Sequence, residues 1–322
     1  MRATLTVCIL IWPTLVFASD PLPSWRESEA KDRILEFISE AVDAGSDGFV
    51  PKPDRIAAFD NDGTLWTEQP VYAQVYFALD RAAEMAAADP DWGKTSALQA
   101  AADGDLESLA AGGEEALLEV VNATHSGMSV EEFDATVRDW FASARNPTTG
   151  MLFTEMIYQP MLELMDHLRA NDFRVFIVTG GGIDFVRSFS EEVYDVPRER
   201  VVGSMTGLEF ETVDGEPQVT KTSELAFLDD KSGKPIGIAR GIGRKPVFVG
   251  GNSDGDLEML QWSTAGQGPR LGLIIRHTDS IREFEYDRES PVGRLNDALD
   301  QADERGWIVV DMAEDWETVW PN

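Results

Sequence analysis

Four short apolar runs, each stopped by polar or glycine residues, limit what this chain can fold into more than any other feature. They are "RIAAFD" (55–60), "FRVFIVTG" (173–180), "KPVFVGG" (245–251) and "LGLIIRH" (271–277). A run that is apolar throughout, rather than at alternate positions, marks a strand covered on both faces, as in a parallel sheet. Helical patterns separate the runs, among them the 151–172 region and the stretch 234–243, and Ile34, Leu35, Ile38 and Val42 mark an N-terminal helix before the first. Strand–helix alternation predicts an α/β chain with a doubly wound, Rossmann-like parallel sheet, functional groups gathering at the carboxyl ends of the strands.

Two stretches break the alternation. Residues 67–147 hold alanine-rich and amphipathic segments with no strand-like run, and Ser129 followed by Glu132 has the spacing of a capping box. This predicts a helical insertion over 67–147, leaving 19–66 and 148–322 as the core. After the second apolar run, "VVGSMTGLEFETVDGEPQVTK" alternates apolar and polar residues around Asp214-Gly215, the pattern of a hairpin flap.

The first residues stand apart. "MRATLTVCILIWPTLVFASD" carries one basic residue, an apolar stretch, and Val16 and Ala18 at the −3 and −1 positions of a cleavage site. Residues 1–18 therefore read as a secretory signal peptide, making the protein an exported one, periplasmic in a Gram-negative cell and otherwise secreted. Its one cysteine, Cys8, lies in this segment, so the mature chain has neither disulfides nor a cysteine nucleophile. No later segment is apolar enough to span a membrane. With 58 acidic against 27 basic residues and a formal charge of −31, the surface repels nucleic acid and anionic membranes. A site for an anionic substrate needs positive charge of its own.

The first run ends in "FDNDGTLW", with Asp60 and Asp62 two residues apart. Such a pair fits a calcium loop, a surface turn or a catalytic pair. Calcium spacing fails: with Asp60 and Asp62 at positions three and five, Ala58 and Gln69 fall where acids are needed. "NSDGDLEML" fails likewise, with Leu257 where the glycine belongs. A bare turn loses ground because further groups follow later strands: Thr179 before Gly180, Gly181 and Gly182, then Lys234 in "SGKPIGIARGIG", then Asn252, Asp254 and Asp256. Three glycines opening a helix offer free amides for a phosphate. Together these groups suit phosphoryl transfer through an aspartyl-phosphate, with one carboxylate attacking phosphorus and the other moving the proton. Magnesium on the carboxylates, with lysine and amides on the phosphoryl group, offsets the negative charge.

In order and type, "DNDGT", "VTGGG", "GKPIGI" and "GNSDGDLEML" resemble the motifs of the haloacid dehalogenase-like phosphohydrolases, in the branch similar to phosphoserine phosphatase. The resemblance runs from Ile56 to about Leu260. It implies Asp60 as nucleophile and magnesium ligand, and Asp62 as general acid/base that also ligates through its backbone carbonyl. It further implies that Thr179, Gly180, Gly181 and Lys234 hold the phosphoryl group and that Asp256 orients the lysine. Asn252 stands where the family has a metal-ligating aspartate; either its amide oxygen or Asp254 completes the Mg2+ site. The insertion matches the family's helical cap, with Glu68 and Gln69 at its hinge and Glu68 as a substrate contact. The implied activity is hydrolysis of a small phosphomonoester. The alternatives are a phosphotransferase or mutase of the same fold, or a non-catalytic, acidic, metal-binding exported protein.

Other residues fit blander roles. His125, His167 and His277 lack metal-ligand spacing; His167 reads as structural, while His277 follows a late strand and borders the site in one reading. Asp184 and Arg187 read as a solvated helix face and Asn61 as a spacer. Trp307, Trp316 and Trp320 read as packing residues.

Overall fold

The computed structural model describes residues 20–321. The signal peptide expected over 1–18, with Cys8, lies outside the described residues.

The first apolar run forms β1 (Ile56–Phe59), with all four residues fully buried. The others follow as β2 (Arg174–Gly182), β3 (Val201–Val213), β4 (Glu216–Phe227), β5 (Phe248–Gly251), β6 (Leu271–Thr278), β7 (Glu285–Tyr286) and β8 (Ile308–Asp311). In space the order is β4-β3-β2-β1-β5-β6-β7, with β8 also on β6. Pairing is parallel from β3 through β2, β1, β5 and β6 to β8, and antiparallel only for β3–β4 and β6–β7. The sheet is open, and β1 lies at its centre.

Alternate residues of these strands feed two cores, which is why their runs are apolar without a break. Ala57, Phe59, Val175, Ile177 and Phe248 face one layer, packed with the helices Glu29–Val42 and Gln159–Ala170. Ile56, Ala58, Phe176, Val178 and Val249 face the other, with Ile238, Met259 and Ala298 from the helices Gly233–Gly241, Leu257–Thr264 and Asp297–Arg305. Trp307 and Trp316 are buried in these cores.

Between β1 and β2 the chain forms the helices Ala73–Ala88, Ser96–Ala102, Leu106–His125 and Val130–Phe141. The last opens with the capping box read from the sequence: Ser129 Oγ accepts from the Glu132 amide at 3.1 Å, and the Ser129 amide donates to Glu132 Oε2 at 2.9 Å. The flap is the β3–β4 hairpin. Asp214 and Gly215 both take positive φ (53° and 89°), the two-residue turn whose twist suits paired strands. Among the described residues no helix is long and apolar enough to cross a membrane.

The triple glycine departs from expectation. Gly180–Gly182 continue β2, with a register shift against β3 between Thr179 and Gly182, and only Gly182 meets the helix Ile183–Arg187, as its N-cap. Ser204 of β3 pairs with Gly182 and donates its hydroxyl to the Gly180 carbonyl at 2.8 Å, which holds the glycines in the sheet.

Phe248 should carry much of one layer, since its ring meets Phe37 and Phe59 at centroid distances of 5.9 and 5.5 Å. Phe248→Ala is expected to cost about 3–5 kcal/mol, read as a lower urea midpoint at unchanged slope.

Candidate active site

β1 delivers Asp60 to the carboxyl edge of the sheet, where its amide donates to the Gly250 carbonyl of β5 at 3.0 Å. The chain then turns at once. The Asn61 carbonyl collects the amides of Thr64 (3.2 Å) and Leu65 (2.8 Å), and the Gly63 amide donates to the Trp66 carbonyl at 2.8 Å. Asn61 is thus the spacer the sequence implied. Gly63 has φ +74°, and a Cβ there would collide with the Asn252 amide and the Glu68 carboxylate. Only glycine meets both demands.

Lys234, 2% exposed near the start of its helix, ties the edge together. Its ammonium donates to Asp60 Oδ1 at 2.5 Å, to Asp256 Oδ1 at 2.7 Å and to the Val178 carbonyl of β2 at 3.0 Å. Burial works against this charge, but Asp256 and Asp60 outweigh it and hold the lysine protonated above its ordinary range. Asp256 Oδ2 accepts the Asn252 and Ser253 amides at 3.0 and 3.2 Å, so the lysine-orienting acid also shapes the loop after β5. Asp60 is pushed well up by burial and by Asp256, against the pull of Lys234. Its Oδ2 makes no hydrogen bond among the described residues.

Asp62 takes the indole N–H of Trp66 on Oδ1 at 2.9 Å, and Trp66 is held by stacking on Phe189 at 4.7 Å. Burial raises the Asp62 carboxyl above its usual range, with the Trp66 bond opposing. Its Oδ2 points toward Gly181, where Thr179 Oγ1 and the Gln74 side-chain oxygen also converge. Thr179 is fully buried and accepts the Gly181 amide at 3.0 Å, while the Gly182 amide donates to Gln74 at 2.8 Å. Two of the amides expected to be free are therefore engaged within the protein.

A family model for haloacid dehalogenase-like hydrolases matches residues 57–261, from β1 through the loop that carries Asn252 and Asp256. The chain belongs to that family. No curated protein matches it. This hydrolase is similar in structure to a conserved protein of unknown function from Anaerococcus prevotii DSM 20548, with 16% identity over 80% of this chain and 88% of the other and a TM-score of 0.54. A protein of unknown function from Bordetella pertussis Tohama I is similar at 16% identity, covering 80% of this chain and 98% of the other, with a TM-score of 0.50. At these identities the likeness is one of fold.

Two residues of the last motif, Asp254 and Asn252, turn to other partners. Asp254 does not join the cluster. Its Oδ1 accepts the Asn296 and Ala298 amides at 3.0 and 3.1 Å, fastening the start of the helix Asp297–Arg305 instead. Asn252, 1% exposed, accepts the Thr64 hydroxyl at 3.2 Å and donates to Glu68 Oε1 at 2.6 Å. Glu68 also takes the Tyr286 hydroxyl at 2.8 Å and is raised well above the usual range by burial, opposed by the Tyr286 bond. Gln69 turns to the Val292 carbonyl at 3.0 Å.

Asp184 and Arg187 are not a solvated face. Asp184 pairs with Lys221, a buried lysine of β4 that also sits 4.8 Å over the Phe133 ring, and Arg187 donates to the Arg198 carbonyl at 3.1 Å. His277 lies behind the Asp60 loop, donating from Nε2 to the Gly63 carbonyl at 2.8 Å and stacking on Tyr286 at 4.3 Å. Burial pushes His125 down to about 3; its Nε2 meets Gln74 Nε2 at 3.2 Å and its Nδ1 meets Thr124 Oγ1 at 2.9 Å. His167 is half-buried, its main-chain carbonyl accepting from the Asn171 side chain at 2.9 Å.

Sequence reasoning missed Tyr72, Gln74, Asp230 and Tyr286. Tyr72 precedes the first inserted helix; burial raises its hydroxyl well above the ordinary range, reinforced by Glu68, Asp62, Asp60 and Asp230. Asp230 sits between Gly180 and Gly255, close enough that a Cβ on Gly255 would lie 2.7 Å from its Oδ1. None of these carries a spacing signal.

Removing the ammonium should expose the site's latent repulsion. Lys234→Met is expected to cost about 3–5 kcal/mol at neutral pH, because it strands buried carboxylates. Asp60 already has a folded pKa above its unfolded value near 3.9. The folded state therefore gains protons first, and the penalty shrinks as pH falls through that raised pKa. Thermal melts at pH 8 and pH 5 should show the gap to wild type narrowing at pH 5.

Proposed function

We propose that this hydrolase is an exported, magnesium-dependent phosphatase that cleaves a small phosphomonoester through an aspartyl-phosphate. The observation that carries the reading is Asp60, pinned by Lys234 on one oxygen and open on the other, beside an Asp62 whose burial favours holding a proton. Asp60 Oδ2 attacks phosphorus, the P–O bond to the alcohol breaks, and Asp62 gives its proton to the leaving oxygen. Asp62 then takes a proton from water, the water oxygen attacks phosphorus, and the acyl-phosphate P–O bond breaks to release phosphate and free Asp60. Thr179 and the amides of Gly180 and Gly181 are the groups for the phosphoryl oxygens, the Gly181 amide exchanging its bond to Thr179 Oγ1 for substrate.

Charge supports the metal. Asp60, Asp62, Asp230 and Asp256 gather round Lys234, with Glu68 near Asp60 and Asp62, and the ammonium is already taken by two carboxylates. The lysine alone does not supply the positive charge that an anionic substrate requires. Among the described residues no three acidic, histidine or cysteine side chains stand close enough to hold a metal by themselves. The donors on hand are the Asp60 carboxylate, the Asp62 carbonyl and the Asn252 amide oxygen. Few ligands, all of them oxygen, suit Mg2+, which keeps waters and shares substrate phosphate oxygens. When bound, Mg2+ offsets the charge of Asp60 and the phosphoryl group. Export with a permissive substrate range fits phosphate scavenging from small esters.

Hydrolysis of p-nitrophenyl phosphate is expected in wild type with Mg2+ and not after chelation. Asp60→Asn should abolish turnover, and Asp62→Asn should lower kcat about 10²–10⁴-fold. A wild type without activity, or an active Asp60→Asn, overturns the reading.

A further inference from the structure

We propose that Glu68 supplies the negative charge that Asn252 withholds from the cation site, so that the site is completed by a carboxylate borrowed from the segment after the first loop. The inference rests on the phosphatase reading above and concerns which residue makes its metal site work.

A cation held at Asp60 and the Asp62 carbonyl meets a single carboxylate whose charge is already shared with Lys234 at 2.5 Å. Asn252 adds an oxygen dipole but no charge. Divalent-cation affinity in oxygen sites depends on the number of charged ligands, so an acid must come from elsewhere. Asp254 is closest in sequence, yet its Oδ1 is committed to two helix-start amides at 3.0 and 3.1 Å and its Oδ2 faces the Arg294 guanidinium at 3.6 Å. Glu68 is the acid whose carboxylate touches the Asn252 side chain, with 2.6 Å between its Oε1 and Asn252 Nδ2.

The surroundings are built for this carboxylate. Tyr286 donates to the same oxygen at 2.8 Å, so both donors fall on Oε1, and Oε2 accepts no hydrogen bond among the described residues. Glycines open the space on two sides: a Cβ on Gly63 or on Gly293 would collide with Glu68, and both residues have positive φ (+74° and +67°). Gly63 belongs to the loop that carries Asp60 and Asp62, which sets Glu68 directly against that loop. His277 fixes the loop from behind through the Gly63 carbonyl and stacks on Tyr286. In this arrangement the Asn252 amide is a clamp: its Nδ2 aims Glu68 and its Oδ1 receives Thr64. An aspartate at 252 would put two carboxylates in contact, so asparagine here and glutamate at 68 form a matched pair.

The test is Mg2+ binding to the substrate-free protein by isothermal titration calorimetry. Glu68→Gln keeps the shape and removes the charge, and its Kd for Mg2+ is expected to rise about 10–100-fold. The double variant Glu68→Gln/Asn252→Asp returns one negative charge to the site and should recover most of that loss. Asp254→Asn should bind Mg2+ as wild type does. Unchanged affinity in Glu68→Gln, no recovery in the double variant, or a loss confined to Asp254→Asn overturns the assignment. Circular dichroism checks that Glu68→Gln folds. Should it not, Asn252→Asp alone decides: its Tm should fall without Mg2+ and recover with it, and a Tm that Mg2+ leaves unmoved overturns the proposal. A wild type that hydrolyses p-nitrophenyl phosphate while Glu68→Gln binds Mg2+ normally removes only the role of Glu68. A wild type that neither binds Mg2+ nor hydrolyses the ester removes the phosphatase reading and this one with it.

Discussion

The ammonium of Lys234 is the contact on which the rest of the site depends. A lysine has three protons to donate, and here each finds an acceptor on a different part of the sheet edge: Asp60 after β1, the Val178 carbonyl within β2, and Asp256 after β5. A buried charge is tolerable only when matched this completely. The match also fixes distances between elements far apart in sequence. Because Asp256 spends its second oxygen on the amides of Asn252 and Ser253, the same ion pair sets the loop that presents Asn252. Position in the sheet and chemistry in the site are therefore one constraint.

That constraint explains what could be read before any coordinates. β1, β2, β5 and β6 were legible because burial on both faces leaves apolar runs without a polar interruption. The β3–β4 hairpin was legible because Asp214-Gly215 is a local turn signal. The convergence of Asp60, Asp62, Thr179, Lys234, Asn252 and Asp256 followed from each lying at or after a strand end. Failures came where a side chain had a choice of direction. Spacing brings Asp254 near the site, but it cannot show that two helix-start amides compete for its carboxylate. Composition makes Asp184 a surface acid, but it cannot show a lysine from β4 arriving beneath a ring. Tyr72, Gln74, Asp230 and Tyr286 matter through contacts across long sequence separations, and no local pattern announces those.

The electrostatic balance of the site is also local. A chain of formal charge −31 surrounds a cleft that is itself rich in carboxylates, so the fold contributes little long-range attraction for an anion. What it contributes is order: Asp60 held by an ammonium, Asp62 by an indole, Glu68 by an amide and a phenol. Each of these three acids has one oxygen held by neutral or cationic donors, while the other takes no hydrogen bond among the described residues. Groups preorganised in this way need no rearrangement when charge arrives.

One further contact has a consequence for proton placement. The Gly182 amide can only donate, so the Gln74 oxygen must face it, at 2.8 Å, and the Gln74 nitrogen must face His125 at 3.2 Å. That nitrogen can only donate, which makes His125 Nε2 an acceptor and leaves the imidazole proton on Nδ1, directed at Thr124 Oγ1 at 2.9 Å. The threonine passes its own proton on to the Val120 carbonyl at 2.8 Å. A single main-chain N–H at the end of β2 thus dictates the polarity of a wire running through the inserted helices. The tautomer of a histidine on one helix records whether another helix is seated on the glycine strand.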